Sequence, residues 1–324
     1  MHTPTVLVTA IGSFAADVAI EQFKAAGYRV IGCDIYPAEW LATSVSVDAF
    51  HQAPLARDEE DYISFIRSIS ADEGVNYIVP LTDIEVDVLN RNRAAIEEDG
   101  TKLCLSPTET LNICRDKWAL HEFVVSHDCP VTPIPTVQLA DAGTPETFPV
   151  VCKPANGRSS EGLAIIHDAD EWEFFSSRNH DSNYIVQPFI PGRVVAVDVV
   201  RNPEQGMAVA IPRVELLRTP NGAGTSVFVF NDEKLQNQCV SLADALGTRG
   251  CVNFEFMKTE EGEYYFIECN PRFSGGIKFS CMTGYNCVLN HLRCFTGEKI
   301  DEPRPYVDVY IARKYHEYIT KQGK

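Results

Sequence analysis

Over roughly the first hundred residues, short and mostly apolar runs alternate with longer stretches whose apolar positions recur every three or four residues. The runs at 5–10, 29–34, 77–81 and 102–106 have the continuous apolar character of strands buried on both faces. Between them, residues 15–26, 62–72 and 84–97 carry the helical period. The alternation predicts an α/β unit, an open parallel βαβ domain over residues 1–107.

The pattern then changes. Pro107 and Thr108 open a helical stretch that runs to about residue 127, and Pro130, Pro133 and Pro135 end it and form a stiff connector. From Phe148 onward, short strands and glycine-rich turns mix with helices at 169–178 and 232–246, an α+β pattern. No repeat or low-complexity tract interrupts it.

Composition narrows the reading. A chain of 324 residues that is 45% hydrophobic predicts two or three domains. It has no apolar run of the roughly 18 to 20 residues that span a bilayer and no basic segment at its start, so a soluble, cytoplasmic protein without a membrane partner is expected. Eleven cysteines without a C-x-x-C pair fit a reducing compartment and buried small hydrophobes rather than zinc ligands. A formal charge of -17 argues against nucleic acid, though not against a nucleotide, whose phosphates need only a few local cations and a metal ion. Asp34 closes the second apolar run where a ribose-binding acid would sit, but the turn after the first run holds one glycine, Gly12, and the dinucleotide fingerprint needs three.

Candidate chemistry lies in the second half. Residues 250–257 and 264–270 flank a Glu-Gly-Glu turn and read as an antiparallel hairpin. Alternation puts Asn253 and Glu255 on one face of the first strand, and Glu268 and Asn270 on one face of the second. Carboxylates converging inside apolar strands resist burial unless a cation sits between them. Magnesium suits that place, since it takes oxygen ligands from one or two carboxylates and completes its shell with water and phosphate. Arg272, two residues beyond Asn270, offers a fork of donors to a phosphoryl group.

Lys153 ends the apolar run 148–154 and precedes a loop of small residues whose backbone N–H groups can approach phosphate oxygens. This is not a Walker loop, because the lysine comes before the glycines. The run 184–192 breaks into a Pro-Gly turn beside an apolar slot that suits an adenine ring. Arg213 and Arg218 are candidates for holding a substrate carboxylate; the alternative for Arg213 is an ion pair with Glu215.

These elements, in this order behind an open βα domain, resemble the ATP-grasp superfamily, in particular its carbamoyl-phosphate-synthase-like and amino-acid-ligase branch. The resemblance implies a pre-ATP-grasp domain followed by a two-lobed ATP-grasp fold, with a small lobe and linker helix over 108–190 and a large lobe over 191–324. It implies phosphate contacts from Lys117 and Lys153, and a loop over the phosphates built from Gly157, Ser159, Ser160 and Gly162. Gln187, Phe189 and Ile190 would line the adenine, Glu255, Glu268 and Asn270 would hold one or two magnesium or manganese ions, and Arg272 would stabilise the transferred phosphoryl group. Many relatives place an acid at the positions of Gln187 and Val194, and this chain does not. The activity implied is a Mg-ATP-dependent ligase that joins a carboxylate to an amine through an acyl phosphate, in a homodimer. A carbamoyl- or carboxy-phosphate-forming enzyme and a non-catalytic ATP-binding regulator are the alternatives.

Overall fold

In the computed structural model, which describes residues 3–158, 161–180, 182–219 and 222–323, the chain builds three sheets. The first is formed by β1 (Thr5–Val8), α1 (Ala16–Ala25), β2 (Arg29–Asp34), β3 (Ala49–Gln52), α2 (Glu59–Glu73), β4 (Tyr77–Val79), α3 (Asp83–Arg91), α4 (Arg93–Glu98) and β5 (Lys102–Leu103). Its five strands are parallel in the order β3-β2-β1-β4-β5. The chain builds outward from β1 to one side and then from β4 to the other, so the order reverses between these two neighbours. Open α/β sheets bind ligands at that reversal, beyond the carboxyl ends of the strands. The helix expected over 84–97 is divided between α3 and α4 at Asn92, and β3 carries no apolar run that would announce it. Asp34 closes no nucleotide site: its carboxylate accepts hydrogen bonds from the N–H groups of Gly12 and Tyr36, at 2.8 and 3.1 Å, and fixes the turn after β1.

The helical stretch after Pro107 is likewise two helices, α5 (Thr108–Arg115) and α6 (Lys117–Ser126). Asp116 separates them. Its side chain accepts from the N–H groups of Trp118 and Ala119, and this local bond is worth more at a helix start than a continued helical turn. Beyond the prolines come β6 (Thr132–Pro133), β7 (Val137–Gln138), β8 (Val150–Pro154), β9 (Ala164–Ile166), α7 (Ala169–Asn179) and β10 (Tyr184–Pro188). Four of these strands form the second sheet, in the order β7-β10-β8-β9, and its outer face packs Val150, Cys152 and Val186 on Trp172 of α7. The remaining strand, β6, leaves the proline connector to pair in parallel with the far edge of the third sheet.

That third sheet contains β11 (Arg193–Asn202), β12 (Met207–Arg218), β13 (Gly224–Val229), β14 (Gly250–Lys258), β15 (Tyr264–Asn270) and β16 (Val309–Ala312), with helices α8 (Glu233–Ala245), α9 (Ile277–Cys281) and α10 (Cys287–Thr296). Its order is β16-β13-β12-β11-β14-β15-β6. Strand alternation divides it into two faces. Val195, Val197, Val199, Val252 and Phe254 pack beneath α5, α6 and α8. On the other face, Val200, Ile211 and Cys251 join Val6 and Val8 of the first sheet, Phe23 of α1 and Val288 and Leu292 of α10 in one continuous core. None of the helices in the described residues is long and apolar enough to cross a membrane.

Arg213 sits on this second face, and its placement corrects the expectation that it receives a substrate. The residue is 1% exposed. Its guanidinium donates to Asp198 Oδ2 at 2.6 Å, Glu215 Oε1 at 3.1 Å, Ser274 Oγ at 2.9 Å and Ser280 Oγ at 3.2 Å. Four of its five N–H groups are thereby committed to protein acceptors. Asp198 also receives Ser280 Oγ at 2.7 Å and Asn253 Nδ2 at 3.2 Å, so the network ties β11, β12, β14 and α9 together. Gly276 makes room for it, since a Cβ there would lie 2.7 Å from the guanidinium. Removing one partner of a buried ion pair strands the other charge. Asp198→Ala should therefore lower unfolding stability by about 3–5 kcal/mol, measured by urea denaturation, with the loss larger than that of Asp198→Asn.

Candidate active site

A cleft of about 650 Å³ opens where the three sheets meet. The first sheet contributes the turn after β1, with Gly12, Ser13 and Phe14, and the turn after β4, with Leu81 and Thr82. These are the two loops that flank the reversal of strand order. The second sheet contributes Lys153 and the loop that follows it, and the third contributes the open ends of β12, β14 and β15.

Glu255 and Glu268 face each other directly across β14 and β15, and Asn253 faces Asn270 one step further on. The register shifts between Glu255 and Phe256, leaving Ile267 as an extra residue in β15. The shift lets Phe266 stay in the core beneath α6 while Ile267 and Glu268 both line the cleft. Burial, with the Glu268 charge opposite, pushes the Glu255 carboxyl up to about 7. Burial also opposes ionisation of Glu268, but Lys117 and Lys153, with a hydrogen bond from Asn270, hold it below the usual carboxylate range. The two acids are thus pushed in opposite directions, Glu268 toward its charged form and Glu255 toward its neutral one.

Lys117 begins α6 at the capped break of the helical stretch, and its ammonium lies 3.4 Å from Glu268 and donates to the Gly157 carbonyl at 2.8 Å. Lys153, 8% exposed, projects from β8 on the face opposite Trp172. Among the described residues no acceptor lies within bonding distance of its ammonium, and burial lowers its pKa to about 8 against the opposing pull of Glu268. A buried cation without a contact partner is a receptor for an anion. Arg218 stands at the mouth, 3.4 Å from Glu255 and bonded to the Gly222 carbonyl at 2.8 Å.

Arg272 lines the cleft but is not free. It forms a two-pronged pair with Asp83 at the start of α3, at 2.6 and 2.9 Å, and also reaches the carbonyl of Phe273 and the side chain of Asn270. Asp83, Asp87, Arg115 and Arg158 are the functional candidates that sequence reasoning missed. The available signal was an aspartate pair at i and i+4 on the helix that follows β4, at the binding edge of a parallel sheet.

The other expected residues divide. Gly157 and Gly162 are in the loop after β8; Gly162 has φ 74 and its carbonyl accepts from the Tyr184 hydroxyl at 3.1 Å. Ser159 and Ser160 lie outside the described residues. Gln187, Phe189 and Ile190 do not line the cleft. Gln187 is buried and donates to Thr136 Oγ1 at 2.8 Å, while Phe189 and Ile190 border a second depression with Pro135, Lys258 and Tyr265. The apolar end of the main cleft is instead formed by Leu163, Val194, Met257 and Ile267.

Two carboxylates and a carboxamide on adjacent strands, next to the ammonium groups of Lys117 and Lys153, form a donor set that fits magnesium completed by phosphate oxygens and water. Among the described residues there is no group of three or more His, Cys, Asp or Glu that would form a cage of protein ligands alone.

A family model described as ATP-grasp in the biosynthetic pathway with Ter operon matches residues 180–317. The carbamoyl phosphate synthase large chain of Clostridium beijerinckii is 26% identical over 178 residues, which is 50% of this chain and 16% of that one. The chain thus spans about a sixth of the length of this relative. Among solved structures, the biotin carboxylase of Campylobacter jejuni in its beta-gamma-ATP complex superimposes with a TM-score of 0.76 at 19% identity, covering 93% of this chain and 72% of that one. The L-amino acid ligase of Bacillus licheniformis gives a TM-score of 0.69 at 17% identity, covering 89% of this chain and 73% of that one. The chain is thus similar in sequence to ATP-grasp proteins over residues 180–317 and has the fold of the biotin carboxylase and the amino acid ligase.

Proposed function

We propose that this chain is an ATP-dependent ligase that phosphorylates a carboxylate and joins the resulting acyl phosphate to an amine. The direct opposition of Glu255 and Glu268 beside Lys117 and Lys153 carries this reading. Such an arrangement has a purpose only if a cation and an anion enter together, as they do in a metal nucleotide.

In this reading the adenine occupies the apolar end between Leu163 and Met257, and the phosphates extend toward Lys153 and Lys117. Glu255, Glu268 and Asn270 would hold one or two magnesium ions, which supply charge neutralisation to the triphosphate when bound. The loop through Gly157 and Gly162 covers the phosphates with backbone N–H groups. Arg218 and the adjoining turn at 222–224 receive the substrate carboxylate. One oxygen of that carboxylate attacks the γ-phosphorus in line, the bond from phosphorus to the β,γ-bridging oxygen breaks, and ADP leaves. The amine then attacks the acyl carbon, phosphate departs and the amine loses a proton. Arg272 faces the phosphoryl group while it is in transit. No side chain need act as a nucleophile.

The competing assignment within the superfamily is a nucleotide-binding regulator. A panel of carboxylates and amines assayed for ADP and phosphate release separates the two. The ligase reading expects release that requires both substrates, and Glu268→Gln should reduce it by about a hundredfold or more with an unchanged circular dichroism spectrum. Full activity in that variant would remove the metal assignment, and nucleotide binding without release across the panel would favour the regulator.

Lys153 supplies a pH test. Its ammonium is the binding form and its pKa lies at about 8, so affinity is retained below that value and is lost as pH rises through it. Mg-ATP affinity measured by calorimetry should fall roughly fivefold between pH 8 and 9, and Lys153→Met should bind weakly with that dependence flattened.

A further inference from the structure

Three arginines from three parts of the chain meet on one helix face of the first domain. Arg272, from the end of β15, is gripped by Asp83 at 2.6 and 2.9 Å. Arg115, the last residue of α5, reaches Asp83 at 3.4 Å and Asp87 at 2.8 Å. Arg158, from the loop after β8, reaches Asp87 at 2.9 Å. The result is a continuous alternating series, Arg272 to Asp83 to Arg115 to Asp87 to Arg158, with every arginine lining the cleft.

Several features separate this series from ordinary surface pairing. Asp83 and Asp87 are one turn apart, so both carboxylates project from the same side of α3 toward the cleft. Asp83 is buried, and its contact with Arg272 uses both oxygens, a geometry that fixes the plane of the guanidinium as well as its position. Three positive charges against two negative ones leave an excess of one cation beside the expected phosphate path. The helix itself is anchored independently, by the capping box of Thr82 and Glu85 and by the bond from the Tyr62 hydroxyl to Glu85 at 3.0 Å, so the two aspartates are presented from a fixed support.

We infer that Asp83 and Asp87 are positioning residues: Asp83 aims Arg272 at the phosphoryl group, and Asp87 docks the phosphate-covering loop by holding Arg158. The first domain is then a working wall of the active site, and α3 couples the loop of the small sheet to the arginine of the large one through Arg115. This inference rests on the proposed Mg-ATP reading for its effect on binding, but not for the docking of the loop.

The experiment therefore has two readouts on the full chain. Arg158 is a trypsin site, so without nucleotide the Asp87→Asn variant should be cut after Arg158 roughly tenfold faster than wild type, while Asp87→Glu should restore protection. Calorimetry with the magnesium complex of a non-hydrolysable ATP analogue should show roughly tenfold weaker binding for Asp87→Asn. Asp83→Asn should lower the rate of ADP release in any active substrate pair with little change in the KM for ATP. Glu59→Gln, which breaks the exposed pair between Glu59 at the start of α2 and Arg91 at the end of α3, is the control and should match wild type in all assays. Unchanged cleavage after Arg158 in Asp87→Asn overturns the loop docking. A wild type that protects Arg158 but does not bind the analogue overturns the Mg-ATP reading and leaves the docking supported.

Discussion

The pairing of β14 with β15 runs in two registers joined at Ile267, and the site depends on that junction. In an unbroken ladder, Phe266 and Glu268 would project to the same side, and either the phenyl ring would leave the core or the carboxylate would enter it. The extra residue reverses the parity. Phe266 remains among Phe254, Phe256 and the helices behind the sheet, and Glu268 turns to face Glu255. Two carboxylates placed opposite each other repel, and the surrounding lysines, Asn270 and Arg218 are arranged to offset part of that repulsion. The remainder is what a cation would relieve.

Much of this was legible from the chain. The continuous apolar runs announced β1, β2, β4 and β5, and the period-two alternation around Glu255 and Glu268 assigned both to a common face. The bulge was not legible, because no glycine or proline marks Ile267 and its effect is visible only once the opposite strand is in register. The break at Asp116 was missed because the apolar period continues through it, and only the capping bonds reveal that the carboxylate starts a new helix there. That break matters, since it puts Lys117 on a first helical turn, next to Gly157 and Glu268.

Residue type alone does not separate Arg213 from Arg272. Both sit near the expected chemistry, and an arginine in a polar motif suggests an anion ligand. Arg213 is instead a buried tie with four of its five donors answered within the protein, whereas Arg272 lines the cleft with its guanidinium oriented by an aspartate 189 positions away in sequence. Long-range pairings of this kind cannot be inferred from spacing. They follow from which strand ends the parallel sheet brings to its reversal point.

The distribution of cores has a mechanical meaning. The first and third sheets share a single apolar interior, whereas the second sheet has a small interior of its own, centred on Trp172. Sliding the first sheet against the third would tear open common packing, but tilting the second would not. The common interior thus joins the first and third sheets into one packed unit, and Lys153 stands on the sheet outside it.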